Sequence, residues 1–167
     1  MGVDIHMFVV KDKEVLKEDI FEGRNSQWFN NLQGSYVTDL AYDHLPVKRS
    51  WKEECGIPNE LITEYKKEDC YYGHRMIRVS DYINWFNKYK PDLTAGWVTK
   101  YDAWAYYNKG IVPKDIYHNL KEADLASEDA VFIEIKLNGC ATWLCEYLTN
   151  VKNGIPCDAY VIYCFDC

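Results

Sequence analysis

The two ends of the chain carry its most apolar strand-like runs, and this constrains the fold more than any other feature. Residues 3–10, Val-Asp-Ile-His-Met-Phe-Val-Val, put Val3, Ile5 and Met7 on one face of a strand and Asp4, His6 and Phe8 on the other. Residues 159–165, Ala-Tyr-Val-Ile-Tyr-Cys-Phe, are nearly all apolar and read as a strand buried on both faces. Buried strands of a small sheet lie at its centre, so the two runs are expected to be neighbours. That arrangement gathers Asp4, His6 and Asp166 near strand ends, where ligands commonly bind.

Between the ends the pattern is mostly helical. Lys11-Asp12 turns the chain into a second strand, Glu14 to Ile20. Ser26 is the expected cap of a short helix carrying Trp28, Phe29 and Leu32 and stopping near Gly34. Residues 35–58, with Pro46 and Pro58, read as irregular, and Glu60 to Glu68 as one or two helical turns. Ser80 is expected to cap a helix over 81–90, with Tyr82, Trp85, Phe86 and Tyr89 spaced three and four apart and Pro91 ending it. An aromatic helix follows over 101–108, and Pro113 is expected to open another reaching Leu120. Val131 to Leu137 alternates as a half-buried strand, Asn138-Gly139 turns, and a helix starts at Ala141 or Thr142 and closes at Asn153-Gly154. The expected architecture is α+β: a single domain over 1–167, with a mixed β-sheet, adjacent terminal strands and several short helices packed on it.

Composition narrows the function classes. Hydrophobic residues make up 48% of 167, enough for a core, and no run approaches the roughly 18 apolar residues of a membrane helix. Asp4 interrupts the first apolar stretch and no basic segment precedes it, so it does not read as a signal peptide. We therefore expect a cytoplasmic protein with no membrane partner. The formal charge of −7 argues against general nucleic-acid binding while leaving room for a local basic pocket. Seven cysteines are expected to be free thiols in a reducing compartment. The one C-x-x-C, Cys164–Cys167, has no second pair for a zinc site. No phosphate-loop, dinucleotide, nucleophile-elbow or zinc-protease motif occurs, and no cofactor is expected.

The opening Met1-Gly2-Val3-Asp4-Ile5-His6 resembles the Met-Gly-x-Asp-Ile-His start of an uncharacterised family of bacteriophage and prophage proteins. The likeness extends to Gly23-Arg24-Asn25 with Phe29, Leu32 and Gly34, to Gly56-Ile57-Pro58, to Asp69–His74 leading into Val79-Ser80-Asp81-Tyr82, and to the closing 160–166. This chain departs where the family often has an arginine before the closing run, since Ala159-Tyr160 stands there. The resemblance implies a phage or prophage origin and an accessory role, and no reaction.

Three groups of residues are suited to binding chemistry. Asp4 and His6 share a strand face. They either hold a ligand or metal with His74 or Asp166, or are structural, with Asp4 satisfying Arg24. Arg24 and Asn25 precede a helix, where a guanidinium fork and backbone donors suit a phosphate; the competing role is an Arg24–Asp4 pair. His74 and Arg75, with Tyr71, Tyr72 and Arg78, form the densest basic-aromatic stretch; its competing reading is a solvated loop pairing with Glu68, Asp69 and Asp81.

The reading these favour is a binding protein for a small anionic, nucleotide-like molecule, using Asp4, His6, Arg24, Asn25, His74, Arg75 and Asp166, with no metal. The alternatives are a metal-assisted hydrolase built on Asp4, His6, His74 and Asp166, and an interaction module docking a host protein through aromatic faces around Trp85, Trp97 and Trp104.

Overall fold

The structure is a computed structural model that describes residues 3–21, 24–34, 40–48, 50–51, 56–123, 128–136 and 139–166. Gly2 and Gly23 of the family-like motifs, Arg49, Cys55, the turn residue Asn138 and Cys167 of the C-x-x-C lie outside them. The fold is α+β. Its contacts gather into two compact units, residues 1–91 with 140–167, and residues 92–139. No helix among the described residues is long and apolar enough to cross a membrane.

The larger unit is built on a four-stranded sheet. In chain order it contains β1 (Asp4–Lys11), β2 (Glu14–Lys17), α1 (Ser26–Gln33), a 3-10 turn (Leu40–His44) and α2 (Asn59–Leu61), which runs on as a π-helical turn (Ile62–Lys66). After these come β3 (Tyr72–Arg78) and α3 (Val79–Tyr89). In the smaller unit lie β4 (Leu93–Thr99), α4 (Lys100–Lys109), α5 (Leu120–Ala123) and β5 (Ala130–Lys136). The chain returns to the larger unit with α6 (Cys140–Thr149), a 3-10 turn (Val151–Asn153) and β6 (Tyr160–Asp166).

Sheet order is β2-β1-β6-β3, so the terminal strands are its two central members, as their composition requires. All pairs in this sheet are antiparallel, and β1 meets β6 in the register Asp4–Asp166, His6–Cys164 and Phe8–Ile162. Both faces of the sheet are covered. Ile5, Met7, Val9, Val161, Tyr163 and Phe165 pack under α1, α3 and α6. Phe8, Val10, Ile162 and Cys164 pack against Trp51, Ile57, Leu61 and Tyr65. Five successive β6 residues, Val161 to Phe165, are therefore wholly buried, each side chain contributing about 1.5–3 kcal/mol relative to exposure.

Several local expectations are corrected. The hairpin turn is Asp12-Lys13, both with positive φ, and the returning strand stops at Lys17, because Asp19 turns the chain with φ 39°. Asn25, not Ser26, caps α1, its Oδ1 accepting from the Trp28 amide. Ser80 does not cap α3. The amides of Val79 and Ser80 donate to the carbonyls of Ala159 and Cys157, so the chain entering β6 satisfies that helix end. No helix forms between Pro113 and Asn119, since Tyr117 exchanges two backbone hydrogen bonds with Trp97 of β4.

Residues 72–78 are a strand rather than a solvated loop. Tyr72 pairs with Phe165 and Arg75 with Tyr163, so one extra residue sits between them. Gly73 absorbs it with φ +66°, and a Cβ there would meet the Phe165 ring at 2.5 Å. Ile77 and Met76 then face the two opposite cores.

Gly154 offers the control, with a similar φ of +61° and nothing within 4 Å. We expect Gly154→Ala to cost about 1 kcal/mol, the price of a left-handed alanine. Gly73→Ala should cost about 1–3 kcal/mol more, because a ring must also move. Urea unfolding midpoints of the two variants check this; equal losses would mean that Phe165 does not set the bulge.

Candidate functional site

The β1–β6 register brings Asp4, His6 and Asp166 together, as the sequence reading expects. His6 Nε2 lies 3.3 Å from Asp166 Oδ2, and Nδ1 lies 3.4 Å from Asp19 Oδ1. Its ring is flanked by Tyr71, edge-on at 5.4 Å between centroids, and by Tyr65 at 5.6 Å. Only a doubly protonated imidazole donates to both carboxylates. While both contacts hold, neither ring nitrogen is left to act as a base toward a third group. Asp19, Tyr65 and Tyr71 complete this arrangement, and no local pattern in the sequence announces it.

Asp4 is engaged elsewhere. Arg24 Nε donates to its Oδ1 at 2.6 Å and the guanidinium Nη2 to Oδ2 at 3.2 Å, the two-point pair that Arg geometry favours. That bond holds the Asp4 carboxyl below its ordinary range. Asn25, besides capping α1, donates through Nδ2 to the Cys140 sulfur at 3.4 Å. These three residues thus close on internal partners.

His74 sits on the same sheet face as His6, between Trp51, edge-on at 4.9 Å, and the Tyr65 carbonyl, 2.6 Å from Nε2. The π-helical turn carries Tyr65 there, with its ring against Phe8 and Tyr71. Burial lowers the His74 pKa, opposed by the Tyr65 carbonyl and aided by Lys66 and Arg75. Neither buried neighbour makes a nucleophile. Burial pushes the Cys164 thiol up to about 12 and raises the Tyr65 phenol as well. Among the described residues no three His, Cys, Asp or Glu side chains group as metal ligands.

Arg75 faces the opposite side of the sheet. It lines a cleft of about 200 Å³ with Asn31, Leu32, Gln33, Tyr42 and Val47. Gly34, which ends α1 with φ +75°, and Leu45 complete the wall. A helix end presents carbonyl acceptors, and of these the Asn30 carbonyl takes the Gly34 amide and the Leu32 carbonyl takes the Tyr163 hydroxyl. Lys11 pairs with Asp158 and Arg24 with Asp4, whereas the Arg75 guanidinium has no ion-pair partner among the described residues. The seven residues singled out by sequence therefore divide. Asp4, His6, Arg24 and Asp166 form one polar network beside Asn25; His74 belongs to an aromatic cluster; Arg75 alone lines a cleft.

Of the three tryptophans expected to dock a partner, Trp85 is buried and donates to the Ala41 carbonyl, so it presents no surface. Trp104, Tyr101 and Tyr107 on α4 are exposed.

Two titrations follow. Since folding lowers the His74 pKa, His74 stabilises least in acid: its contribution is intact above the ordinary histidine value of about 6.5 and is lost as pH falls toward the lowered one. His74→Gln should flatten the fall in unfolding midpoint below pH 6.5; an unchanged slope would contradict this. Asp4 behaves as a paired carboxylate, its contribution present above the unfolded value and lost as pH drops through the lowered one. Arg24→Gln should move the Asp4 carboxyl titration upward, read by carbon NMR.

Comparison with family models, curated proteins and solved structures finds no match to this chain.

Proposed function

We propose that this is an accessory protein of the phage or prophage type, acting in the cytoplasm by binding a small anionic, nucleotide-like molecule without transforming it. The resemblance of 1–6, 23–34 and 160–166 supports the origin. One observation carries the binding role: the Arg75 guanidinium, free of any ion pair among the described residues, lines a polar cleft. A buried or half-buried cation without a carboxylate favours an anion from solution. Arg24 is already held by Asp4.

The cleft sets the size. At about 200 Å³ it is smaller than a typical pocket of about 300–1,000 Å³ and suits an anionic group with part of a ring, the remainder lying at the mouth. Acceptors from the end of α1 call for ligand donors such as hydroxyls or an amine. A phosphate on a sugar or nucleoside combines both demands. The net charge of −7 opposes a polyanion and favours a small ligand recognised locally.

A second reading, an interaction module, draws on α4, where Tyr101, Trp104 and Tyr107 are 70%, 49% and 66% exposed. Thermal unfolding separates the two. Adenosine monophosphate or inorganic phosphate at saturating concentration should raise the midpoint, a hundredfold excess over Kd corresponding to about 2.7 kcal/mol. Arg75→Ala should abolish the rise without lowering the ligand-free midpoint by more than about 0.5 kcal/mol. A flat response of the unaltered protein would overturn the anion-binding reading and leave the interaction module.

A further inference from the structure

Four buried aromatic side chains in the larger unit end their polar tips on backbone carbonyls. Trp51 Nε1 donates to Arg75 at 2.9 Å, Tyr82 to Ala141 at 2.8 Å, Trp85 Nε1 to Ala41 at 2.8 Å and Tyr163 to Leu32 at 3.2 Å. That is what burial demands of an N–H or O–H. Trp28 departs from it. The residue is 2% exposed, and its Nε1 has no hydrogen-bond partner among the described residues. A buried donor without an acceptor is destabilising, and a native chain that keeps one has a use for it or holds an unseen partner there.

The position of Trp28 suggests the use. Asn31 and Leu32 follow it by three and four residues on α1, so they share its face of the helix, and both line the Arg75 cleft. Tyr42 lines the cleft too, and its ring meets that of Trp28 edge-on, 6.2 Å between centroids. Trp28 thus stands behind Tyr42, a wall residue of a cleft whose arginine has no ion pair among the described residues.

We infer that Trp28 Nε1 is a second ligand-binding donor of this cleft, and that the ligand is a phosphate monoester. The inference rests on the binding role proposed for Arg75. A phosphate group spreads three terminal oxygens in different directions. The guanidinium engages one or two, and another reaches the indole N–H as the Tyr42 ring turns aside. A carboxylate has only two oxygens, in one plane, and serves the fork alone.

The test follows the Trp28 indole N–H by proton–nitrogen NMR, the resonance being assigned through its loss in Trp28→Phe. The protein is titrated with adenosine monophosphate, inorganic phosphate and adenosine, and Kd is measured for the unaltered chain, Arg75→Ala and Trp28→Phe. We expect the resonance to move with the two phosphates and not with adenosine. Trp28→Phe should weaken phosphate binding about tenfold, as loss of one hydrogen bond to an anion does. A response to adenosine monophosphate alone would place the phosphate on a nucleoside; a response to both would mark the phosphate itself as the recognised group. If Trp28→Phe binds as tightly and the resonance stays still while Arg75→Ala loses binding, the inference falls and the Arg75 role stands. If no phosphate binds the unaltered chain, both fall. Should Trp28→Phe fail to fold, the Trp28 indole resonance is assigned in the unaltered protein through its through-space contact with the Tyr42 ring, and its shift alone decides.

Discussion

Antiparallel pairing of β1 with β6 is the interaction on which the rest of the larger unit depends. The two strands lie at opposite ends of the chain and together form the centre of the sheet. Away from the Asp4–Asp166 end, both faces of their seam are filled by apolar side chains, which can therefore point both ways out of water. Helices α1, α3 and α6 find their buried partners on one face, and the Trp51–Tyr65 cluster finds its own on the other. Even the start of α3 is satisfied from this seam, through the carbonyls of Cys157 and Ala159.

The seam also sorts the polar groups. At its end it sets Asp4 beside Asp166 and His6 opposite Cys164. There Arg24 closes on Asp4, and His6 lies between Asp19 and Asp166. A network so completed is a poor place for an incoming anion. The opposite face differs, because the Gly73 bulge shifts β3 by one residue and turns Arg75 toward the end of α1.

Much of this arrangement could be read from residues alone, for identifiable reasons. The apolar runs at 3–10 and 159–165 are long and carry β-branched and aromatic residues, so their strand character and adjacency followed from burial. The aromatic spacing of α3 and the aromatic helix over 101–108 were legible for the same kind of reason. Strand β3 was not, because the bulge breaks its alternation and Arg75 and Arg78 make it look solvated. Strand β4 hides behind Gly96, where a Cβ would come within 2.9 Å of the Tyr117 carbonyl; the glycine is there for a backbone approach that no neighbouring residue signals. The Asp4–Arg24 pair is legible as an alternative role of those two residues from their opposite charges. Asp19 and the unpaired Trp28 donor depend on contacts distant in sequence and leave no local trace.

Native-state hydrogen exchange tests the primacy of the seam most directly. If β1 and β6 form one cooperative core, the amides of Val9, Val161 and Tyr163 will exchange only through a common opening, with the highest free energy and the steepest denaturant dependence in the larger unit. Exchange of the β6 amides through a separate, lower-energy opening, with β1 still protected, would contradict the account.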